Sequence, residues 1–309
     1  MLKCITWNLA HRLKKNPKQI KAIEERNPDI IAFQEVTLES SRIIKKILSS
    51  NYRSIVDSFE LLSSQSVCVG PRRLGELIAT KYDLKINLEN KFNMPWKERV
   101  LAVNIKTPQD TIEFYNTYIP PGSTNRWKKI ETLEGLYKGL AIHSKRKRIL
   151  CGDFNTPQDE LLKYGVCTFA QKINKKGVPK LRKIFRGGSG NRWDQGERNV
   201  LEGLKEFNLV DAYRQLHPIP KKAYSFVIER KGRVVAKRRF DHFFLSKEFK
   251  IKSGKSEFSM EISSFTLGNN TYMSVWDGDL TVDQEIHCFQ VFLKILMTIQ
   301  LLKNQRNLL

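Results

Sequence analysis

Residues 148–155 read Arg148-Ile149-Leu150-Cys151-Gly152-Asp153-Phe154-Asn155. An apolar run of this length, closed by a glycine and an acid, is the pattern of a buried strand that stops at a polar end. Working backwards, Trp127 to His143 has helical spacing, and Val100 to Lys106 and Thr111 to Ile119 are two strands around the turn Thr107-Pro108-Gln109-Asp110. Further back, Asp29 to Val36 and Leu2 to Asn8 are strand-like, and between them Gln19 to Arg26 forms a short helix stopped by Asn27-Pro28. Strands alternating with helices, with hairpins among them, predict a layered α/β fold whose sheets are covered by helices.

Beyond residue 155 the texture changes. Gln171 to Arg192 holds Lys172, Lys175, Lys176, Lys180, Arg182, Lys183, Arg186 and Arg192 with no acid, and ends in Gly187-Gly188-Ser189-Gly190. This predicts a mobile, basic surface loop inserted in the domain. Arg230 to Arg239 is a second basic run, closing a hairpin around Lys231-Gly232, and Lys145 to Arg148 is a third. No internal repeat is visible.

The chain of 309 residues carries 54 Lys and Arg against 32 Asp and Glu, a formal charge of +22, which favours a polyanionic partner. With 40% hydrophobic and 28% charged residues it is an ordinary globular chain, so wholesale disorder is excluded. Cys4, Cys68, Cys151, Cys167 and Cys288 form no Cys-x-x-Cys pair and are odd in number, against a disulfide framework or a zinc ribbon. Met1 to Trp7 reads as a strand, not as a signal peptide, and the apolar tract Phe289 to Leu302 is interrupted by Gln290, Lys294 and Gln300. The expectation is an intracellular protein of cytoplasm, nucleus or nucleoid, without a membrane partner or an obligate protein partner, and a monomer.

Several strand ends finish in polar residues. Asn8 ends the first, Gln34-Glu35 lies near the end of the second, Asn116 and Tyr118 precede Pro120-Pro121-Gly122, Asp153 and Asn155 follow Cys151, and Asp241-His242 lies within Phe240 to Phe244. Singly, Glu35 reads as a helix N-cap neighbour, Asp153 as a turn residue and Asp241 as a satisfied core acid. Together they are costly to bury unless paired or bound to metal, and active sites of layered α/β proteins collect at such ends.

On these segments the sequence resembles the endonuclease/exonuclease/phosphatase superfamily: Thr6-Trp7-Asn8, Phe33-Gln34-Glu35-Val36, Tyr115 to Gly122, Leu150 to Asn155, and Arg239-Phe240-Asp241, in the family's order. Glu197-Arg198-Asn199, Leu209 to Pro218 and Tyr224-Ser225-Phe226 are similar to the exodeoxyribonuclease III and abasic-site endonuclease branch. The resemblance implies a four-layered α/β sandwich, two packed mixed sheets flanked by helices, over residues 1–266. It implies a Mg2+-dependent phosphodiester hydrolase acting on DNA in repair, with Mn2+ as the alternative ion. Glu35 and Asn8 would serve the metal, and Tyr118, Asp153, Asn155 and Asp241 the chemistry. Lys172, Lys175, Lys176, Lys180, Arg182, Lys183, Arg186, Arg238 and Arg239 would track the phosphate backbone.

The chain departs from the pattern in two places. Abasic-site enzymes often carry an aromatic residue before the last motif, where this sequence has Lys237-Arg238, which leaves Phe226 as the candidate wall of such a pocket. The family's closing Ser-Asp-His segment, expected near 265–275, is replaced by Glu261 to Asn270, and the later His287 follows no Ser-Asp pair. Residues 267–309 therefore read as an atypical tail, the product of a frameshift or a replaced exon, with the last strand missing or altered; the second reading has His287 reaching the site by a different route, against that of an ordinary surface or helix histidine. Two other readings follow: a phosphatase or phosphodiesterase of the same superfamily acting on RNA, inositol phosphates or lipids, and a non-catalytic nucleic-acid-binding relic.

Overall fold

The computed structural model describes residues 2–10, 16–62, 68–88, 92–217, 219, 224–231, 233–251, 259–260, 263–267 and 270–274. The chain opens with β1 (Cys4–Asn8), α1 (Asn16–Glu24), β2 (Ile30–Val36), α2 (Leu38–Leu48), β3 (Ser54–Asp57) and β4 (Gly75–Thr80). Thr37 caps α2, accepting from the Ser40 amide while Ser40 Oγ accepts from the Thr37 amide. Next come β5 (Asp83–Ile86), β6 (Val100–Lys106), β7 (Thr111–Tyr118), α3 (Gly122–Asn125), α4 (Lys128–Leu140) and β8 (Arg148–Asp153).

The stretch expected to be a mobile loop is ordered into short hairpins. After the pair β9 (Asp159–Leu161) and β10 (Gly165–Cys167), β11 (Gln171–Ile173) pairs with β12 (Pro179–Leu181), and β13 (Ile184–Phe185) with β14 (Gly188–Ser189). Local chemistry supplies the turns. Asn174 Oδ1 accepts from the amides of Lys176 and Val178, and Arg186 and Gly187, at φ 51° and 80°, close a two-residue hairpin. Gly190 already belongs to α5 (Gly190–Leu201), followed by β15 (Val210–Asp211) and α6 (Ala212–Leu216). The hairpin expected around Lys231 is β16 (Phe226–Arg230) with β17 (Arg233–Arg238); β18 (Asp241–Leu245), β19 (Lys250–Ile251), β20 (Ser259–Met260), β21 (Ser263–Leu267) and β22 (Asn270–Ser274) follow.

Among the described residues these strands build two sheets of six, in the orders β21-β22-β1-β2-β4-β3 and β15-β18-β8-β7-β6-β5. Both are mixed: β1 runs parallel to β2 and β7 to β8, and the other neighbours are antiparallel. Inner faces meet through Cys4, Ile30, Ala32 and Ile78 from one sheet and Leu101, Phe114, Ile149 and Phe243 from the other. The outer face of the first packs Ile31 and Phe33 on Ile20, Ile23 and Ile44 of α1 and α2. The outer face of the second packs Tyr115 and Leu150 on Leu133, Leu136 and Val200 of α4 and α5. This is the four-layered sandwich, and burial on both faces explains why its strands read as unbroken apolar runs. β22 lies antiparallel to β1, Ile5 opposite Ser274 and Thr6 opposite Met273, so the first sheet continues past residue 266. Residues 275–309, His287 among them, fall outside the described part.

Candidate active site

The polar strand ends converge on one side of the sandwich. Asn8 ends β1. Across from it the pairing of β2 with β4 slips between Phe33 and Val36, and Glu35 sits in this bulge at φ 55°. Only a local interruption of the ladder allows that backbone, and it turns the Glu35 side chain out of the sheet and into a cavity. Gln34 instead points inward, donating to Thr6 Oγ1 at 2.8 Å and to Asn116 Oδ1 at 2.6 Å. Asn116 donates to the Phe33 carbonyl at 2.8 Å and so ties the two sheets together behind the site.

Asp153 ends β8 beside Tyr118, the last residue of β7. Gly152 permits the approach: at φ 136°, an added Cβ would lie 1.9 Å from the Thr117 carbonyl oxygen. The Asp153 carboxylate accepts from the Asn155 amide at 2.8 Å and from Asn8 Nδ2 at 2.9 Å. Asn8 Nδ2 also donates to Glu35 Oε1 at 3.1 Å, so one amide couples two carboxylates from different sheets. Asn155 Nδ2 is held by the Ile119 carbonyl at 2.9 Å. Asp241 opens β18 opposite Asp153, its amide donating to Ser225 Oγ at 2.9 Å. Burial raises the Asp153 carboxyl above the usual carboxylate range, and the Glu35 charge adds to the rise. Burial raises Asp241 too, with Asp153 adding to it. Tyr118 is pushed up by burial and by both carboxylates, and its hydroxyl donates to Glu35.

These groups line a cavity of about 490 Å3 whose far wall is aromatic. Phe226 and Phe240 stack at 5.3 Å with planes 21° apart, and Arg238 lies over Phe169 at 4.9 Å. Phe226 lines this cavity. Arg186, in the turn between β13 and β14, also lines the cavity, and its guanidinium lies 5.3 Å from the Phe185 ring centre.

One cation of this wall went unread in the sequence. Lys129 is buried, donates to the Asn155 carbonyl at 2.9 Å and pairs with Glu197 at 2.6 Å. Its place was legible as a spacing: Lys129, Leu133, Leu136 and Leu140 form the buried stripe of α4, so a charge heads a core face. Burial lowers the Lys129 ammonium, and Glu197 opposes that.

The basic residues divide. Lys172, Lys175, Lys176, Lys180, Arg182 and Lys183 are exposed on and beside the β11–β12 hairpin. Arg239 is a correction: it is 4% exposed and pairs with Glu160 at 2.8 Å and Asp211 at 2.6 Å. At the end of β17 Arg238 lines the cavity, while the next residue, Arg239, turns to these acids, so Arg239 is a structural cation and not a phosphate contact. The arginine charge holds Glu160 down at about 2 against its burial, which by itself raises it.

Two carboxylates bridged by one amide, with Asp241 opposite Asp153 and oxygen donors throughout, suit a hard cation. Among the described residues no three His, Cys, Asp or Glu side chains gather tightly enough to encage an ion.

The molecule is a two-sheet α/β sandwich that carries carboxylates, amides and a tyrosine at converging strand ends. Residues 5–257 match the model of the Endonuclease/Exonuclease/phosphatase family, and the chain belongs to that family. Its fold is similar to the AP endonuclease LMAP of Leishmania major (TM-score 0.58, 18% identity, covering 90% of this chain and 88% of that one). It is also similar to D. rerio TDP2 complexed with single strand DNA product (0.56, 11%, 89% and 97%) and to the 3'-5' exonuclease NExo of Neisseria meningitidis (0.54, 16%, 90% and 100%). No curated protein sequence matches the chain. Among the described residues no helix is long and apolar enough to cross a membrane.

Proposed function

We propose that the protein is a Mg2+-dependent phosphodiesterase that cuts DNA in the manner of exonuclease III or of an abasic-site endonuclease. The observation that carries this reading is the coupling of Glu35 and Asp153 through Asn8, at 3.1 and 2.9 Å, on the floor of a cavity walled by Phe226, Phe240 and Arg238. The acids suit phosphodiester chemistry, the aromatic and guanidinium wall suits a sugar and base with their phosphate, and the +22 charge suits a polyanion.

In this reading Glu35 would hold the ion, with Asn8 orienting the Glu35 carboxylate, and a bound ion would supply charge neutralisation at the non-bridging phosphate oxygens. Asp153, oriented by the Asn155 amide and by Asn8, places the attacking water and takes its proton. A carboxylate raised by burial is a better base than an exposed one. Asn155 positions that water or a phosphate oxygen. Tyr118 donates its hydroxyl proton as a hydrogen bond to the phosphate, exchanging Glu35 for substrate, and Asp241 matches the acid that orients a closing histidine in the family. The exposed lysines of the β11–β12 hairpin steer the backbone towards the cavity.

The test is a cleavage assay with Mg2+ on two labelled duplexes, one with recessed 3′ ends and one with a single abasic site, with EDTA, Asp153→Ala and Glu35→Ala as controls. Metal-dependent cutting that both variants lack, with DNA binding retained, is the expected result. Salt-sensitive binding without cutting by the unmodified chain would overturn the enzymatic reading in favour of a binding relic.

A further inference from the structure

Arg99 closes the short 3-10 turn Lys97–Arg99 where the chain enters β6, and it is 1% exposed. Its guanidinium carbon lies 4.6 Å from the ring centre of Tyr118 and 5.2 Å from that of Trp96. Nη2 donates to the Pro71 carbonyl, and Nε and Nη1 have no hydrogen-bond partner among the described residues. A buried donor left unmade is costly. Two such donors are a poor arrangement for an arginine whose task is to tie loops together. A cation over an aromatic face in a dry site is attracted by the ring, so the rings account for the placement better than the hydrogen bonds do.

The charges around Arg99 point the same way. Tyr118, Glu76, Glu98 and Glu35 are the groups whose fields act on it. Glu98 is already engaged by Arg72 through two bonds of 2.8 Å. Glu76, fully buried on β4, faces the bulge that carries Glu35, and neither of its carboxylate oxygens has a hydrogen-bond partner among the described residues. Arg99 and Glu76 are absent from the cavity lining, so they stand behind the site.

We propose that Arg99 is a positioning residue: its guanidinium fixes the Tyr118 ring from behind and keeps the phenol and the Glu35 carboxylate together at the cavity. Arg99 touches no substrate and acts only through Tyr118. Misplacing a reacting group by about 1 Å costs on the order of 100-fold in rate, which sets the scale of the effect. The kinetic arm of the test rests on the phosphodiesterase reading. The spectroscopic arm rests on geometry alone.

The experiment compares Arg99→Met and Arg99→Lys in the full chain. Protein labelled with 13C in its tyrosine rings gives a resonance for each of nine tyrosines, and loss of one in Tyr118→Phe identifies Tyr118. In Arg99→Met the Tyr118 resonance should move and broaden. In Arg99→Lys, which keeps the charge, it should move less. For metal-dependent DNA cutting, kcat should fall about 10- to 100-fold in Arg99→Met with KM changed less than about twofold, and Arg99→Lys should recover most of the loss. An unmoved Tyr118 resonance in folded Arg99→Met overturns the proposal. So does an equal loss of kcat and thermal stability in both variants, which would make Arg99 a tie to Pro71. If Arg99→Met does not fold, Arg99→Lys decides by the same resonance: a shift supports the proposal and none refutes it. A wild-type protein that cuts no DNA would sink the functional reading and leave the tyrosine spectra to judge Arg99.

Discussion

Replacing Lys129 by Met removes a charge and two hydrogen bonds while nearly keeping the side chain's volume. The ammonium is buried against Glu197 at 2.6 Å and the Asn155 carbonyl at 2.9 Å. Breaking one partner of a buried pair costs about 3–5 kcal/mol, because the other charge stays desolvated. Glu197 keeps two donors, Trp193 Nε1 at 2.8 Å and the Phe169 amide at 2.9 Å, so the loss should fall at the lower end, about 3 kcal/mol. For a domain of this size that is a fall in Tm of roughly 6–12 °C. The reasoning predicts more than a loss. Lys129→Met with Glu197→Gln no longer buries an unpaired anion yet keeps acceptors for Trp193 and Phe169. Urea unfolding of the wild type, both single variants and the double should therefore show a coupling of about 1–3 kcal/mol. Additive losses would refute the pair as the source of the effect. Because Lys129 also holds the backbone of Asn155, cutting should drop in Lys129→Met at temperatures where it stays folded.

Three further outcomes follow. Arg239→Met should lower stability, by urea unfolding, and leave DNA affinity in the folded protein unchanged within about twofold, since its partners are Glu160 and Asp211; the stability held by the depressed Glu160 carboxyl is present above its unfolded value near pH 4.3 and lost as pH falls towards about 2, so the wild-type advantage should shrink across that window. Changing Lys175, Lys176 and Lys180 to Gln should flatten the slope of log affinity against log salt by up to about 0.9 per lost phosphate contact, and an unchanged slope would place the DNA elsewhere. Because the Asp153 carboxyl is raised by burial and must be ionised to take a proton, kcat/KM should decline on acidification at a pH above the ordinary carboxylate range; an acid limb below about pH 4 would exclude Asp153 as the base.

Much of this molecule is visible in local chain chemistry. Apolar runs of β1, β2, β7 and β8 announce strands buried on both faces, and Asn8, Glu35, Tyr118, Asp153 and Asp241 stand out because such polar ends are costly inside a sandwich. The β11–β12 hairpin hides inside a basic, glycine-rich stretch because strands of three residues are too short for periodicity to register. The spacing of α4 marks Lys129 as a charge on a core face, but what it and Arg99 do is not local: the value of a cation inside a helix or at a strand entrance depends on which acid or ring faces it.

By itself, then, the sequence determined the layered α/β class, the order of the polar strand ends and the cationic surface, since each follows from neighbours within about one element. Only tertiary structure decided that Asn8 meets Asp153, 145 residues away, that Glu35 sits in a left-handed bulge, and that Arg238 faces the cavity while Arg239 is locked to Glu160 and Asp211. Sheet register and the approach of two sheets set these contacts, and a one-residue change of register reverses which side chain faces which environment.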